Sequence, residues 1–383
     1  MDSLDASVAD AFRADSRLAT ATVAAGVVSS CAGAAKSHWK RWLLYCDQLR
    51  IDPYLQGEAE IEDRIVYLQV FAHRYRTGLI VPSKKPVRSR TVEDAVRAIS
   101  QEMATVGAPD PWLNLFGNMD FRLQRTWKAW GKQDPPPNRV KPIPVCVLHR
   151  VLQLAIASHA AMTMAVADMI AIAFFFLLRP GEYTATSSET TPFRFQDVQL
   201  FLGDRPLNLT TAPEGELLAA TFATLTFTDQ KNGVRGEVIG LGLSGHQHLC
   251  PVRAITRRIL DIRRHGLPAD TPLATTKIRQ RLHHVSPSHI TVALRGAVGL
   301  FDSREIGFLA TDISARSLRA AGAMALLCSH VDTDIIRLIG RWRSDEMLRY
   351  LHVQAEPLMR DFASRMLHRG DFRLIPNQQV PLR

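Results

Sequence analysis

Apolar residues recur every three or four positions through most of the chain, the period of a helix with one buried face. From Ala35 to Arg50, Trp39, Trp42, Leu43 and Cys46 keep that spacing, with Lys36, Lys40 and Arg41 on the other positions. Glu58 to Arg76 repeats it through Ile61, Ile65, Leu68, Val70 and Phe71, and ends on His73, Arg74, Tyr75 and Arg76 before Gly78. Phe121 to Trp130 predicts a basic helix carrying two tryptophans. Val145 to His159 and Ala160 to Leu178 predict two more, the second almost wholly apolar and therefore central, ending where Pro180 stops it beside Arg179. Leu249 to Arg264, Ser286 to Leu300, Val331 to Gly340, Arg343 to Leu351 and Pro357 to Leu367 continue the helical reading. The period shortens to two from Ala219 to Phe227, where Phe222, Leu225 and Phe227 alternate with threonines. Asp229 to Gly233, closing on Asn232 and Gly233, predicts a hairpin turn, and Val234 to Leu241 the returning strand. The expected fold is mostly α with a small β-sheet.

Punctuation divides this pattern. Lys132 to Pro144 holds five prolines in thirteen residues, which cannot continue a helix. The expected organisation is a loose or weakly helical arm over residues 1–30, a helical domain over 31–137 and a second domain over 138–383. Pro82 to Arg90 places Lys84, Lys85, Arg88 and Arg90 in nine residues without an acid, and Thr91 then reads as an N-cap with Asp94 in the first turn. Cations ahead of a helix start oppose its dipole; a phosphate backbone would account for them, and so would a solvated loop. Lys40 and Arg41 allow the same two readings, a DNA-contacting surface or the wet face of a core helix.

Composition sharpens the partner class. The chain has 383 residues, with Lys plus Arg at 47 against Asp plus Glu at 37, a net +10. That balance favours a polyanionic partner such as nucleic acid, though an ordinary basic enzyme shares it. Cys31, Cys46, Cys146, Cys250 and Cys328 are scattered, giving neither a zinc set nor a disulfide framework, so a reducing compartment is expected. No basic leader precedes an apolar run at the N-terminus. The longest apolar run, Met169 to Leu178, is shorter than the roughly 20 residues a membrane helix requires, so no membrane partner is expected.

The chemistry concentrates in residues 313 to 352. Arg316 and Arg319 stand three apart where the sequence turns helical and apolar, so both guanidinium groups can share one face and form a fork for a phosphate. Tyr350 follows Gly340 by ten positions in a run with Arg341, Arg343 and Arg349, whose charges would favour an ionised phenol. No carboxylate cluster accompanies these residues, so neither a metal nor a small-molecule cofactor is expected.

In order, Arg316-Ser-Leu-Arg319, then Leu338-Ile-Gly340-Arg341-Trp342, then Arg349-Tyr350 resemble the C-terminal signature of the tyrosine recombinases, the phage-integrase family. The Gly340-Arg-Trp-Arg-Ser-Asp-Glu346 variant resembles the Crypton-type and DIRS-type eukaryotic mobile-element branch. Leu177-Leu178-Arg179 followed by Glu182 is similar to the family's first catalytic arginine, Lys231 at the hairpin tip is similar to its minor-groove lysine, and Leu249-Cys-Pro-Val252 is a further landmark.

The resemblance implies a helical core-binding domain and a tyrosine-recombinase-like catalytic domain acting on double-stranded DNA as a homo-oligomer. The location would be nuclear in a eukaryotic host and cytoplasmic otherwise. It implies that Tyr350 forms a 3′-phosphotyrosine, that Arg179 and Arg319 hold the phosphate, and that Lys231 protonates the leaving 5′-oxygen. Arg316 and Arg341 stand where the family most often has histidines. Arginine stays protonated, so both can donate to a phosphate oxygen but neither can act as a base near neutral pH. The rival reading is a domesticated DNA-binding protein that keeps the fold without the reaction; a topoisomerase-like relaxing enzyme is a third. Trp342 is expected against the segment that bears the tyrosine.

Overall fold

The computed structural model describes residues 5–25, 29–56, 61–114, 116–136, 140–185, 192–228 and 236–342, together with positions 348 and 364. Tyr350, Lys231, and the expected helices 343–351 and 357–367 lie outside the described residues, apart from those two positions. The chain is mostly α with a small antiparallel sheet and divides after Pro137 into two compact units.

The first unit contains α1 (Ala6–Ala25), α2 (Ser29–Leu49), α3 (Ile61–Arg76), α4 (Ser89–Thr105) and α5 (Phe121–Gln133). Within the stretch expected as a loose or weakly helical arm, Ala6–Ala25 forms a helix, α1; of its described side chains only Ala9 is buried. The apolar spacing of α2, α3 and α4 converges on one core, where Trp42, Tyr45, Leu68, Phe71, Val96, Ile99 and Leu123 are almost fully buried. The polar atoms carried inside find partners: Trp42 Nε1 donates to the Pro53 carbonyl at 2.7 Å and the Tyr45 hydroxyl to that of Tyr67 at 2.9 Å.

One expectation fails here. Helix α4 begins at Ser89, with Arg88 as its N-cap, two residues before Thr91. Asp134 replaces the cap: its carboxylate accepts from both the backbone N–H and the hydroxyl of Ser89, at 2.8 and 2.5 Å. An acid at a helix N-terminus satisfies an orphan donor and complements the dipole, and a residue 45 positions away cannot be read as a cap from local sequence.

The second unit runs α6 (Val145–Ser158), α7 (Ala161–Phe175), α8 (Pro180–Tyr183), β1 (Val198–Leu202), β2 (Arg205–Pro206), α9 (Glu214–Leu218), β3 (Phe222–Phe227), β4 (Glu237–Gly242), α10 (Pro251–Arg264), β5 (Thr275–Ile278), β6 (Arg281–His284), α11 (Pro287–Val298), α12 (Ser303–Ile306), α13 (Ser317–Cys328) and α14 (Thr333–Ile339). The order β2-β1-β3-β4 makes an antiparallel sheet, with β3 and β4 in register from Phe222 opposite Gly242 to Phe227 opposite Glu237. A separate hairpin, β5–β6, was not expected. Helix α7 is buried from Ala165 to Phe174 and packs against α6, α10 and α13, so its apolar run is the centre of the core. No helix of the described residues is long and apolar enough to cross a membrane.

Helix α7 stops at Phe175, short of Pro180. Leu177 takes a left-handed conformation, φ 51°, and the N–H of Leu178 closes back on the Ala173 carbonyl at 3.0 Å. Proline then serves as the first residue of α8 rather than as the terminator.

Candidate active site

The end of α7 gathers three arginines that are far apart in sequence. The carbonyls of Phe176 and Leu177, just past its last residue, accept from buried guanidinium groups. Arg319, on the first turn of α13 and 3% exposed, donates to Leu177 O at 2.9 Å and also to Gly340 O. Arg341, 6% exposed, donates to Leu177 O at 3.2 Å and to Phe176 O at 3.3 Å. Cations at a helix C-terminus are favoured by the dipole as well as by these hydrogen bonds.

Glu182 supplies the counter-charge. Its Oε2 accepts from Arg341 at 3.1 Å and from the backbone N–H of Arg179 at 2.7 Å, and its Oε1 accepts from the Arg179 guanidinium at 2.9 Å. Burial pulls the pKa of Arg341 down and the Glu182 carboxylate pulls it back up, so the ion pair is what keeps a buried charge tolerable. Arg179 is the most open of the three, with 30% of its side chain exposed.

Two aromatic rings complete the packing. The Arg319 guanidinium lies 4.2 Å from the Trp342 ring centroid and that of Arg341 lies 3.9 Å from the Phe227 ring, both distances suited to cation–π attraction. Trp342 packs with Leu177, Ala323 and Ile336; the tyrosine-bearing segment expected beside it lies outside the described residues. Gly340 permits this packing, since a Cβ there would lie 1.6 Å from the indole. Helix α14 ends as α7 does, with a bulky residue held left-handed: Arg341 has φ 57°, and the Trp342 N–H closes on Arg337 O at 3.0 Å. Glycine is the usual occupant of that position, so two helix ends that carry side chains in a strained conformation meet at this site.

The arginines expected together at the signature are separated. Arg316 is the exposed N-cap of α13, its side chain making no hydrogen bond or ion pair among the described residues, whereas Arg319 points into the core. They do not form a fork: Arg319 is taken up by the carbonyls of Leu177 and Gly340, while Arg316 stays exposed. The structure instead joins Arg179, Arg319 and Arg341. Sequence reasoning passed over Phe227 and the double role of Glu182; the spacing of Glu182, three residues after Arg179, was the available signal. Phe227 also accepts from the Gly236 N–H at 2.9 Å, and Lys231 lies between these two residues in sequence, outside the described residues.

In the first unit, the expected DNA-contacting residues are differently engaged. Arg90 pairs with Glu93 and Asp94 at 3.4 and 3.2 Å, the acids of its own helix. Arg88 donates to Pro136 O at 3.2 Å, Lys84 to Leu79 O at 3.1 Å and Arg41 to the Tyr75 hydroxyl at 3.2 Å. Lys40 and Lys85 are exposed, with no ion pair among the described residues. Among the described residues no group of three or more His, Cys, Asp or Glu side chains is arranged to hold a metal ion.

No protein-family model matches this sequence and no curated protein matches it. Solved structures to which the chain is similar include the Tn1549 transposon integrase in complex with transposon right end DNA, at 12% identity and TM-score 0.46, covering 86% of this chain and 99% of that one. The XerH site-specific recombinase bound to difH substrate, a pre-cleavage complex, is similar at 11% identity and TM-score 0.47, covering 85% and 76%. The XerA recombinase is similar at 13% identity and TM-score 0.37, covering 88% and 100%. Likeness at this level assigns no chemistry to this chain.

Proposed function

We propose that this chain is a site-specific DNA recombinase or integrase of the tyrosine type, cleaving and rejoining double-stranded DNA through a 3′-phosphotyrosine. The observation that carries the reading is the convergence of Arg179, Arg319 and Arg341 at the end of α7, all three linked through the Leu177 carbonyl and Glu182. Cations gathered around one point serve a non-bridging phosphate oxygen, and Tyr350 follows Arg341 by nine positions.

In the proposed reaction the Tyr350 phenol gives its proton to solvent, the phenolate oxygen attacks phosphorus, the bond from phosphorus to the 5′-oxygen breaks, and Lys231 gives that oxygen its proton. A 5′-hydroxyl from another strand reverses the step. The position of Lys231 in sequence between Phe227, which lies against Arg341, and Gly236 supports that assignment. The Crypton and DIRS-type branch, assembly of several copies on DNA and nuclear action in a eukaryotic host belong to this proposal.

The burial of Arg319 and Arg341 favours a second reading, a DNA-binding protein of the same fold without the reaction. Both guanidinium groups are occupied by carbonyls in this structure, as structural cations would be.

Covalent trapping separates the two. The protein is incubated with nicked duplex carrying candidate element ends in the absence of divalent metal, denatured and resolved by size. The proposal expects a DNA-shifted band that disappears in Tyr350→Phe and in Arg179→Ala. Specific binding to such a duplex without any shifted band would overturn the enzymatic reading in favour of the second.

A further inference from the structure

The hairpin β5–β6 carries cations without a neighbouring acid in sequence. From Thr271 to Phe301 the sequence contains no Asp or Glu, while Lys277, Arg279, Arg281, Arg295 and three histidines fall within it. All four residues of β6 are exposed. The side chains of Lys277, Arg279 and Arg281 make no ion pair or hydrogen bond among the described residues. Two other exposed arginines of this unit do find acids, Arg205 meeting Glu216 at 2.8 Å and Arg264 pairing with Glu214, whereas Arg316 finds none among the described residues.

The turn adds a second observation. Arg279 and Gln280 both have positive φ, 47° and 66°, where asparagine and glycine are the ordinary choices for a two-residue hairpin loop. An arginine kept in a conformation that disfavours it carries a side chain that folding does not need. The root, by contrast, is held tightly. Buried Arg258 donates to Leu273 O at 3.1 Å and to Thr275 O at 2.7 Å. The Ala185 N–H donates to Val285 O at 3.0 Å, tying the hairpin to the segment just after Glu182. A tied-down base thus projects exposed Arg279 and Arg281 into solvent beside the half-buried Lys277, none of the three compensated among the described residues.

We infer that this hairpin is a second site of attachment to duplex DNA, made by Lys277, Arg279 and Arg281 on the phosphodiester backbone flanking the reacting phosphate. The choice of DNA rests on the proposed function; the existence of an unpaired cationic surface does not.

The test is the salt dependence of binding by the full-length chain to a fluorescent duplex. Removing one cation that neutralises a phosphate lowers the slope of log affinity against log salt by about 0.9. The triple variant Lys277→Ala, Arg279→Ala, Arg281→Ala should therefore lose about 2 to 3 from the slope and bind roughly ten- to several hundredfold more weakly near 0.1 M salt. Arg205→Ala with Arg264→Ala should leave the slope unchanged. Arg279→Gly relieves the turn conformation while deleting one charge, so it keeps the fold and should lose about 1 from the slope. If the wild type binds duplex and neither hairpin variant alters the slope, the hairpin faces some other partner and the inference falls, while covalent trapping still decides the enzymatic reading. If the wild type binds no duplex at all, both fall together.

Discussion

Arg319 and Trp342 form a stacked pair, the guanidinium carbon 4.2 Å from the indole centroid while its nitrogens donate to the carbonyls of Leu177 and Gly340. The stack fastens the end of α14 to the first turn of α13 and to the end of α7. Trp342 is only 8% exposed, so Trp342→Ala removes a large buried surface and one face of the arginine's enclosure. The expected loss is about 3 to 5 kcal/mol, read by denaturant unfolding followed by circular dichroism. Trp342→Phe keeps an aromatic face and should lose less than half as much. Equal losses in both variants would show that the stack is not what holds this corner.

Helices α13 and α7 approach closely at Gly322, where an added Cβ would lie 2.2 Å from the Phe174 carbonyl oxygen. A backbone atom cannot rotate away, so Gly322→Ala must push α13 outward and carry Arg319 with it. The expected cost is about 2 to 3 kcal/mol, within the range for overpacking a dense core. Hydrogen exchange should show faster exchange at the amides of both helices. A variant as stable as the parent would mean that the two helices are not tightly apposed.

Helices α2, α3 and α5, the apolar α7 and the β3–β4 pair were legible because each follows a period that local residues alone determine. The gathering of Arg179, Arg319 and Arg341 was legible in part. The family-like pattern named all three, but their spacing placed Arg316 beside Arg319, because a three-residue separation does not show which of the two the core takes in. Helix ends were the least readable feature. Leu177 and Arg341 terminate their helices in left-handed conformations that neither residue type announces, and Ser89 is capped by Asp134 from another part of the chain. The β5–β6 hairpin escaped notice for the same reason, since Arg279 and Gln280 are not turn residues by type.

The capping of α4 makes a pH-dependent prediction. Burial pushes the Asp134 carboxyl up, but the hydrogen bonds from Ser89 and the pair with Arg76 pull it down by more, so its pKa lies below the ordinary 3.8. A depressed carboxyl contributes stability that is fully present above its unfolded value and is lost as pH falls through the folded one. Asp134→Asn should therefore be less stable than the parent at neutral pH, with the difference closing below about pH 4. Ser89→Ala should cost about 1 kcal/mol, and Thr91→Ala less than about 0.5. Five of the six tryptophans precede Pro137, so intrinsic fluorescence reports this unit. A larger effect at Thr91 than at Ser89 would reverse the assignment of the cap.

Asp168 presents the opposite sign. It is wholly buried in α7, with Arg257 donating to Oδ1 from Nε at 2.8 Å and from a terminal nitrogen at 2.6 Å, while Arg258 stands 4.0 Å from Oδ2. Burial raises the Asp168 pKa and the two arginines oppose the rise. Arg257→Ala removes the nearer cation and leaves a buried carboxylate underpaired, a change that costs about 3 to 5 kcal/mol. It also lifts the folded pKa further above the unfolded one. Between those two values the native state binds more protons than the unfolded chain, so stability falls as pH rises through the window. The deficit of Arg257→Ala should accordingly be largest at neutral pH and shrink as pH approaches about 4. Replacing both members with apolar residues of similar size, Asp168→Leu with Arg257→Met, should recover most of the loss and remove its pH dependence, because the desolvation cost goes with the charges. Denaturant unfolding of the two variants across pH checks this; a deficit that stays constant with pH would show that Arg257 acts through packing rather than through Asp168.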